Sequence, residues 1–278
     1  MRGLGSFVLR SPLGRFGLGV ATLFLLSAAL APWLAPYDPT VQSLGEMLRP
    51  PSRAHWLGTD QYGRDVLSQV VYGGRVSLQI ALVSVAVAAL FGLPLGVVAG
   101  YYGGRIDAVI MRVMDVVFAF PSLLLAIALL AFVGPSTVNV MIAIGLVYVA
   151  TIARITRASV LTVWSEEYVT AARGLGKGDV GIMARHVLPN ALAAPLVQLT
   201  LGLARATLYE ASLSFIGLGT PPPTPSWGRM LADTKSLVQL APWASMAPGV
   251  AIMLVILSFN FLGDVLRDAL DPRLRGLN

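Results

Sequence analysis

The sequence has 278 residues, of which 56% are hydrophobic and 12% charged, and its mean hydropathy is +0.74. Such a chain cannot cover the surface of a water-soluble domain, so the bilayer is its expected solvent. The formal charge of +6 is not gathered into a basic run with aromatic residues, which argues against nucleic acid as a partner. The lack of cysteine excludes disulfides, thiolate metal sites and cysteine nucleophiles.

Long uncharged stretches predict six membrane-spanning helices. The basic start followed by an apolar run resembles a signal peptide, but the run is long and no small-residue cleavage site follows, so we interpret it as a retained first span. Gly134-Pro135-Ser136 predicts a tight turn between the third and fourth spans. The expected fold class is all-α, a polytopic bundle with six transmembrane helices, whose spans lie in 16–35, 77–102, 116–153 (two helices), 191–217 and 243–263.

The Lys and Arg residues indicate the orientation of the bundle. Thirteen of them flank the spans on the side of the termini and six on the opposite side. The positive-inside rule therefore predicts that both termini are cytoplasmic. The expected parts are a cytoplasmic N-terminus with the first span (1–36), an extracytoplasmic segment with an interfacial helix (37–76), a five-helix core (77–264) and a cytoplasmic tail (265–278).

Two connections are too long to be simple linkers. Apolar positions at helical spacing in 63–72 predict the interfacial helix, lying along the membrane surface. In the cytoplasmic loop 154–190, Ser165 before two glutamates predicts a helix start and Gly176-Lys177-Gly178 a break. We expect two short helices with a bend between them, the second ending at Pro189 beside the fifth span.

The cytoplasmic loop also carries a motif. Residues 167–176, EYVTAARGLG, are followed after nine residues by HVLPN at 186–190. This text resembles the EAA loop of ABC importer permeases, which in that family forms a coupling helix seated on the cytoplasmic ATPase. Thr170 departs from the glutamate of the broader superfamily, and an ordinary amphipathic linker is the alternative. The resemblance implies ATPase-coupling roles for Glu167, Ala171, Ala172, Gly176, His186, Leu188 and Pro189.

A narrower resemblance lies before the second span. The stretch 55–68, HWLGTDQYGRDVLS, followed by YGGRVSL at 72–78, is similar to the signature of the dipeptide/oligopeptide/nickel branch of these permeases. Stretches such as 210–215 and 260–264 agree, so the resemblance extends from about Tyr37 onward and indicates the C-type permease subunit. The implied signature residues are Gly58, Thr59, Asp60, Gly63, Arg64 and Asp65.

The resemblance implies a complex in a bacterial cytoplasmic membrane. The expected partners are a second, different permease subunit, two ATP-binding subunits, an extracytoplasmic solute-binding protein and membrane lipid. This chain would bind no cofactor, and ATP with Mg²⁺ would belong to the partner subunits. The expected function is import of dipeptides or oligopeptides, with nickel or another peptide-like solute as alternatives. A self-contained secondary transporter would need its own coupling-ion site, and none is visible.

Charged residues within a span are functional candidates by default. Arg205 and Glu210 in the fifth span are therefore candidates for the translocation pathway, with snorkelling or pairing as the alternative for Arg205. Gly92, Gly96 and Gly100 recur every fourth residue and predict close helix packing. No phosphate loop of the form GxxxxGK[ST] occurs, and the two histidines fall in opposite loops. The sequence therefore predicts neither a metal site nor an enzyme.

Overall fold

The computed structural model describes residues 4–270, which form helices and connecting loops, with one isolated bridge between Thr59 and Asp65 in place of any sheet. The helices are α1 (Leu4–Arg10), α2 (Pro12–Ala29), α3 (Ala31–Leu34), a 3-10 turn (Leu44–Glu46), α4 (Val66–Tyr102), α5 (Gly104–Phe118), α6 (Ser122–Val133), α7 (Thr137–Trp164), α8 (Glu167–Gly174), α9 (Asp179–Ile182), a π-helical turn (Met183–Val187), α10 (Leu188–Ala191), α11 (Ala193–Phe215), α12 (Trp227–Thr234) and α13 (Pro242–Leu270).

The all-α membrane bundle expected from the sequence is confirmed. Four single helices are long and apolar enough to cross a membrane, namely α2, α4, α7 and α13. Two bent pairs bring the number of candidate spans to six: α5 with α6, which meet at 86°, and the α9–α10 segment with α11, which meet at 61°. The turn expected at Gly134-Pro135-Ser136 lies between α6 and α7, where Gly134 has φ +89° and Ser136 caps α7.

The segment 63–72 does not form a separate interfacial helix. From Val66 onward it is the start of α4, because Asp65 caps that helix and no break follows before Tyr102. At 1.5 Å per residue, the 37 residues of α4 span about 55 Å, more than the roughly 30 Å of a bilayer's hydrocarbon core. The helix therefore extends beyond the apolar layer.

Other boundaries differ from the sequence expectation for local reasons. The third span is broken at Ala119–Pro121, since proline cannot supply the backbone N–H that a continuous helix needs. The cap of α8 is Glu166, whereas Ser165 ends α7. Pro189 lies in the first turn of α10 and does not end it; the chain bends after Ala191 instead. Proline is tolerated in a first turn because its missing N–H would have no partner there.

The packing of α4 against α7 forms the centre of the bundle. A Cβ atom added at Gly92 would lie 2.7 Å from Ile152, one at Gly96 2.5 Å from the carbonyl oxygen of Ala153, and one at Gly100 2.8 Å from Val160. The predicted small-residue face is therefore confirmed as the face on which α7 lies. Such close backbone approach is how helices associate in membranes, where lipid is as apolar as the side chains.

The first span lies at the edge of the bundle, against α13. Gly17 contacts the backbone of Ser258, whose hydroxyl donates a 2.8 Å hydrogen bond to the Gly17 carbonyl oxygen. Phe24 packs edge-on against Trp227, with ring centroids 5.6 Å apart. The core of 77–264 is thus extended on one side by α2.

Candidate functional site

The loop predicted to be cytoplasmic contains a helical hairpin, α8 to α10, which we call the α8–α10 hairpin (residues 167–191). Two short helices with a bend between them were predicted for 154–190; the structure has this form from Glu167 onward, whereas 154–164 continues α7. One face is buried: Val169 and Ala172 of α8 and Ile182 pack with Val160 of α7. Glu167, by contrast, is exposed. The hairpin is therefore amphipathic, with its apolar face on the bundle.

The bend of the hairpin projects away from the bundle. Gly176 has φ +72°, a conformation that favours glycine, and no atom of the chain lies within 4 Å of a Cβ built there. Leu175 and Val180 on either side are 80% and 74% exposed. Ala171 is exposed as well. The hairpin thus offers exposed apolar side chains on both sides of a glycine.

Aromatic residues at the ends of two spans anchor the hairpin. The guanidinium of Arg173 lies over the ring of Trp164 at 4.2 Å and over that of Tyr101 at 5.1 Å. The Tyr101 hydroxyl donates a 2.8 Å hydrogen bond to Asp179. Since Tyr101 lies in the last turn of α4 and Trp164 ends α7, these contacts fix the hairpin to both helices. Sequence reasoning missed these residues; aromatics at the ends of two predicted spans were the available signal.

The second half of the hairpin leads directly into α11. His186 is half-buried, and its Nε2 lies 3.1 Å from the Lys177 amine across the bend. Leu188 is half-buried and packs on the hairpin core, while Pro189 is exposed. The loop residues expected from the motif are therefore close together, but Ala172 and Leu188 face the bundle, whereas Glu167, Ala171, Gly176 and Pro189 face outward.

The predicted signature residues form a folded loop before α4. Asp60 Oδ1 accepts hydrogen bonds from the backbone N–H groups of Tyr62 and Arg64, both at 2.9 Å. Its Oδ2 accepts from Arg64 Nε at 2.7 Å and from Gln69 Nε2 at 2.9 Å. Arg64 also reaches Asp233 of α12 at 3.5 Å. A nearly buried carboxylate with four donors fixes this loop against α4 and α12.

The remaining signature residues position the backbone. Gly58 and Gly63 have φ +73° and +70°, and a Cβ at Gly63 would lie 1.9 Å from the carbonyl oxygen of Ser43. The carbonyl oxygen of Thr59 accepts a 3.1 Å hydrogen bond from the indole of Trp243. Asp65 accepts from Ser68 N at 2.8 Å and thereby caps α4. The signature therefore ties the loop to α4 and α13.

The two charged residues of the fifth span lie in different surroundings. Glu210 is fully buried, and its carboxylate accepts 2.8 Å and 2.7 Å hydrogen bonds from the hydroxyls of Ser77 and Ser214. Ser77 in turn accepts a 3.3 Å hydrogen bond from the backbone N–H of Trp227 at the start of α12. Arg205 is exposed on α11. The structure thus does not bring Arg205 and Glu210 together. Glu210 links α4, α11 and α12 through hydrogen bonds in the interior of the bundle.

Comparison with known proteins agrees with this architecture. Residues 92–276 match the family described as the binding-protein-dependent transport system inner membrane component, and residues 8–51 match the N-terminal transmembrane domain of oligopeptide transport permease C. The dipeptide transport system permease protein DppC of Alkalihalophilus pseudofirmus is 45% identical over 96% of this chain and 88% of its own. The glutathione transport system permease protein GsiD of Pectobacterium atrosepticum is 41% identical over 92% and 86%.

Solved structures show the same fold at low sequence identity. A chain of the MetNI methionine ABC transporter, in an inward-facing conformation, superposes with a TM-score of 0.60 at 18% identity, over 73% of this chain and 96% of its own. An amino acid ABC transporter structure gives 0.56 at 19%, over 72% and 94%. The type I importer permease fold is thereby confirmed. The chain is a multi-pass inner membrane protein that belongs to the family of binding-protein-dependent transport system inner membrane components, in its oligopeptide permease C branch.

Proposed function

We propose that this chain forms half of the pore of an ATP-driven peptide importer and transmits the work of separate ATP-binding subunits to it. The observation that carries the proposal is the exposed edge of the α8–α10 hairpin, Leu175 to Val180, on a hairpin fixed to α4 and α7 through Arg173. Leu175 and Val180 are largely exposed in the described part of the chain, and exposed apolar side chains beside a glycine suit the groove of a partner protein.

The contacts of the hairpin with α4 and α7 indicate how a movement of the bend would reach the spans. An ATP-binding subunit that moves the bend would carry Asp179 and Arg173, and with them the ends of α4 and α7. The hairpin continues into α11 through the 61° bend after Ala191. Motion at the edge therefore reaches three spans, and a bundle with two arrangements of these spans can alternate between outward- and inward-facing states.

The complex that we propose has five parts around the membrane. They are this chain, a second permease, two ATP-binding subunits that carry ATP and Mg²⁺, and an extracytoplasmic solute-binding protein. No cofactor is assigned to this chain. Both termini would be cytoplasmic, as the distribution of basic residues predicts, which places the α8–α10 hairpin on the side where ATP is available.

Peptides are the proposed cargo, with dipeptides first. Relatives of this chain at 45% identity are named for dipeptides and, in Pseudomonas aeruginosa, for di- and tripeptides. Nickel and other peptide-like solutes remain the alternatives within the same type of importer. A secondary transporter is disfavoured because the family is that of binding-protein-dependent systems.

Reconstitution tests the function directly. The native complex is purified through this chain, placed in proteoliposomes, and supplied with its solute-binding protein and radiolabelled dialanine. We expect uptake only when ATP is present on the side of the ATP-binding subunits and the solute-binding protein is on the other. Uptake by the chain alone, without ATP, would show a secondary transporter instead.

A further inference from the structure

Arg205 lies near the middle of α11 on the face that the neighbouring helices leave uncovered. None of the ion pairs formed among the described residues includes it. A guanidinium at mid-span is costly in lipid and is retained where it meets water or an anion. This position therefore indicates an aqueous face of α11 and not a lipid-facing one.

A phenol and an amide lie beside the guanidinium. The ring of Tyr148 from α7 packs on Gly202, where a Cβ would lie 2.8 Å from the ring. Gln198, one turn before Gly202, donates a 3.0 Å hydrogen bond to the Tyr148 hydroxyl. Arg205 lies three residues after Gly202 and seven after Gln198, on the same face of α11. Gly202 thus brings the phenol into the row formed by Gln198 and Arg205.

The guanidinium of Arg205 supplies the donors of this face. Tyr148 is 5% exposed and its hydroxyl accepts from Gln198, so the phenol packs beside the guanidinium from within the bundle. Arg205 offers planar paired donors that match the two oxygens of a carboxylate. The guanidinium is therefore a receptor for an anion with a planar oxygen pair, and Tyr148 with Gln198 borders it.

We propose that Arg205 binds the carboxylate of the peptide as it passes through the translocation pathway. The inference rests on the proposed peptide import and names the part of the substrate that the pathway contacts. A peptide that leaves water for a mid-membrane cavity must keep its carboxylate solvated, and this guanidinium supplies that solvation.

Cysteine labelling tests the proposal, since the chain has no cysteine of its own. Leu208, one turn from Arg205 and 49% exposed, is replaced by cysteine in the full complex in proteoliposomes, and labelling is read on this chain alone. The probes are an anionic sulfonatoethyl and a cationic trimethylammonioethyl methanethiosulfonate. Leu23→Cys on α2, 64% exposed at the edge of the bundle, is the control for a lipid-facing site.

We expect the anionic probe to label Leu208→Cys about tenfold faster than the cationic one, because a nearby charge raises the local concentration of counter-ions. Adding Arg205→Met should remove this preference and Arg205→Lys should keep it, while Leu23→Cys reacts with neither probe. Free dialanine should slow labelling by the anionic probe, and dialanine amide should not.

Three results would overturn the carboxylate site. In the first, neither probe labels Leu208→Cys, which would mean that lipid or the second permease covers this face. In the second, the preference for the anionic probe persists in Arg205→Met, and in the third, dialanine and its amide protect equally. ATP-driven dialanine uptake by the unmodified complex is measured in parallel. If that uptake is present while labelling fails, only the site is rejected; if it is absent, the proposed function itself is rejected.

Discussion

Asp60 is the centre of the hydrogen bonds that hold the signature loop. Its two oxygens accept four hydrogen bonds, and its partner Arg64 reaches Asp233 of α12. The loop is therefore fixed by a network that runs from Asp60 through Arg64 to Asp233.

The positive φ at Gly63 gives a prediction at this scale. Gly63→Ala should lower the free energy of unfolding by at least about 1–2 kcal/mol, because alanine is strained at φ +70° and its Cβ would collide with Ser43. Thermal unfolding of the detergent-solubilised complex measures the effect. Gly45→Ala in the same connection, with nothing within 4 Å and no positive φ, is the control and should be neutral. Equal melting temperatures for the two variants would contradict the assigned role.

Glu210 gives a second prediction. Glu210→Leu should destabilise the complex, because the buried hydroxyls of Ser77 and Ser214 would lose their acceptor at a cost of about 1–3 kcal/mol each. Glu210→Gln keeps an acceptor and should stay near wild type in both melting temperature and dialanine uptake. If Glu210→Gln stopped uptake at unchanged stability, the charge itself would be needed and Glu210 would belong to the translocation pathway.

Helix packing belongs to the scale of elements, and here the sequence was informative. The four-residue spacing of glycines predicted a close helix contact, although it could not name α7 as the partner.

Gly96→Ala should weaken the contact between α4 and α7, since its Cβ would lie 2.5 Å from both Ala153 and Thr156. Gly249→Ala in α13, with open space at the Cβ, should be neutral or slightly stabilising. Both are compared by thermal unfolding, and a Gly96→Ala as stable as Gly249→Ala would argue against this packing.

The bend of the α8–α10 hairpin gives a prediction about coupling. Gly176→Trp should abolish ATP-driven uptake while membrane insertion stays normal, because no atom of the described chain lies within 4 Å of a Cβ at Gly176 and a docked partner would meet the indole. Gly134→Trp is the matched control: it also replaces an unencumbered glycine with positive φ, but in the turn between α6 and α7. Dialanine uptake and the amount of inserted protein are measured together. Normal uptake in Gly176→Trp would reject the coupling role.

The sequence did not predict where a helix breaks within a span. Hydropathy placed the third span from residue 116, but the bent pair begins at Gly104 and turns by 86° at Ala119–Pro121. Pro121 was visible in the sequence, yet a proline permits a straight helix start as well as a kink. The direction that the chain takes depends on what α6 packs against, chiefly α7, and this is a tertiary property.

The proposed coupling of ATP hydrolysis to transport requires that the hairpin and the spans are joined as the structure shows. Composition and span count predicted the membrane bundle, and the EAA-like text predicted the hairpin. The anchors from Arg173 to Trp164 and Tyr101 were not predictable, because they join residues brought together by the fold of α4, α7 and α8. Through these contacts the α8–α10 hairpin is attached to the ends of α4 and α7.

In the proposed complex, a separate ATP-hydrolysing subunit binds to the edge from Leu175 to Val180. Cross-linking in the native membrane complex tests it, with Leu175→Cys as the probe and Phe132→Cys, 93% exposed near the turn between α6 and α7, as the control. A thiol-reactive photo-cross-linker on Leu175→Cys should capture an ATP-binding subunit, and the same reagent on Phe132→Cys should not. Failure of Leu175→Cys to capture any ATP-binding protein, or equal capture from both positions, would show that no ATP-binding subunit docks at this edge.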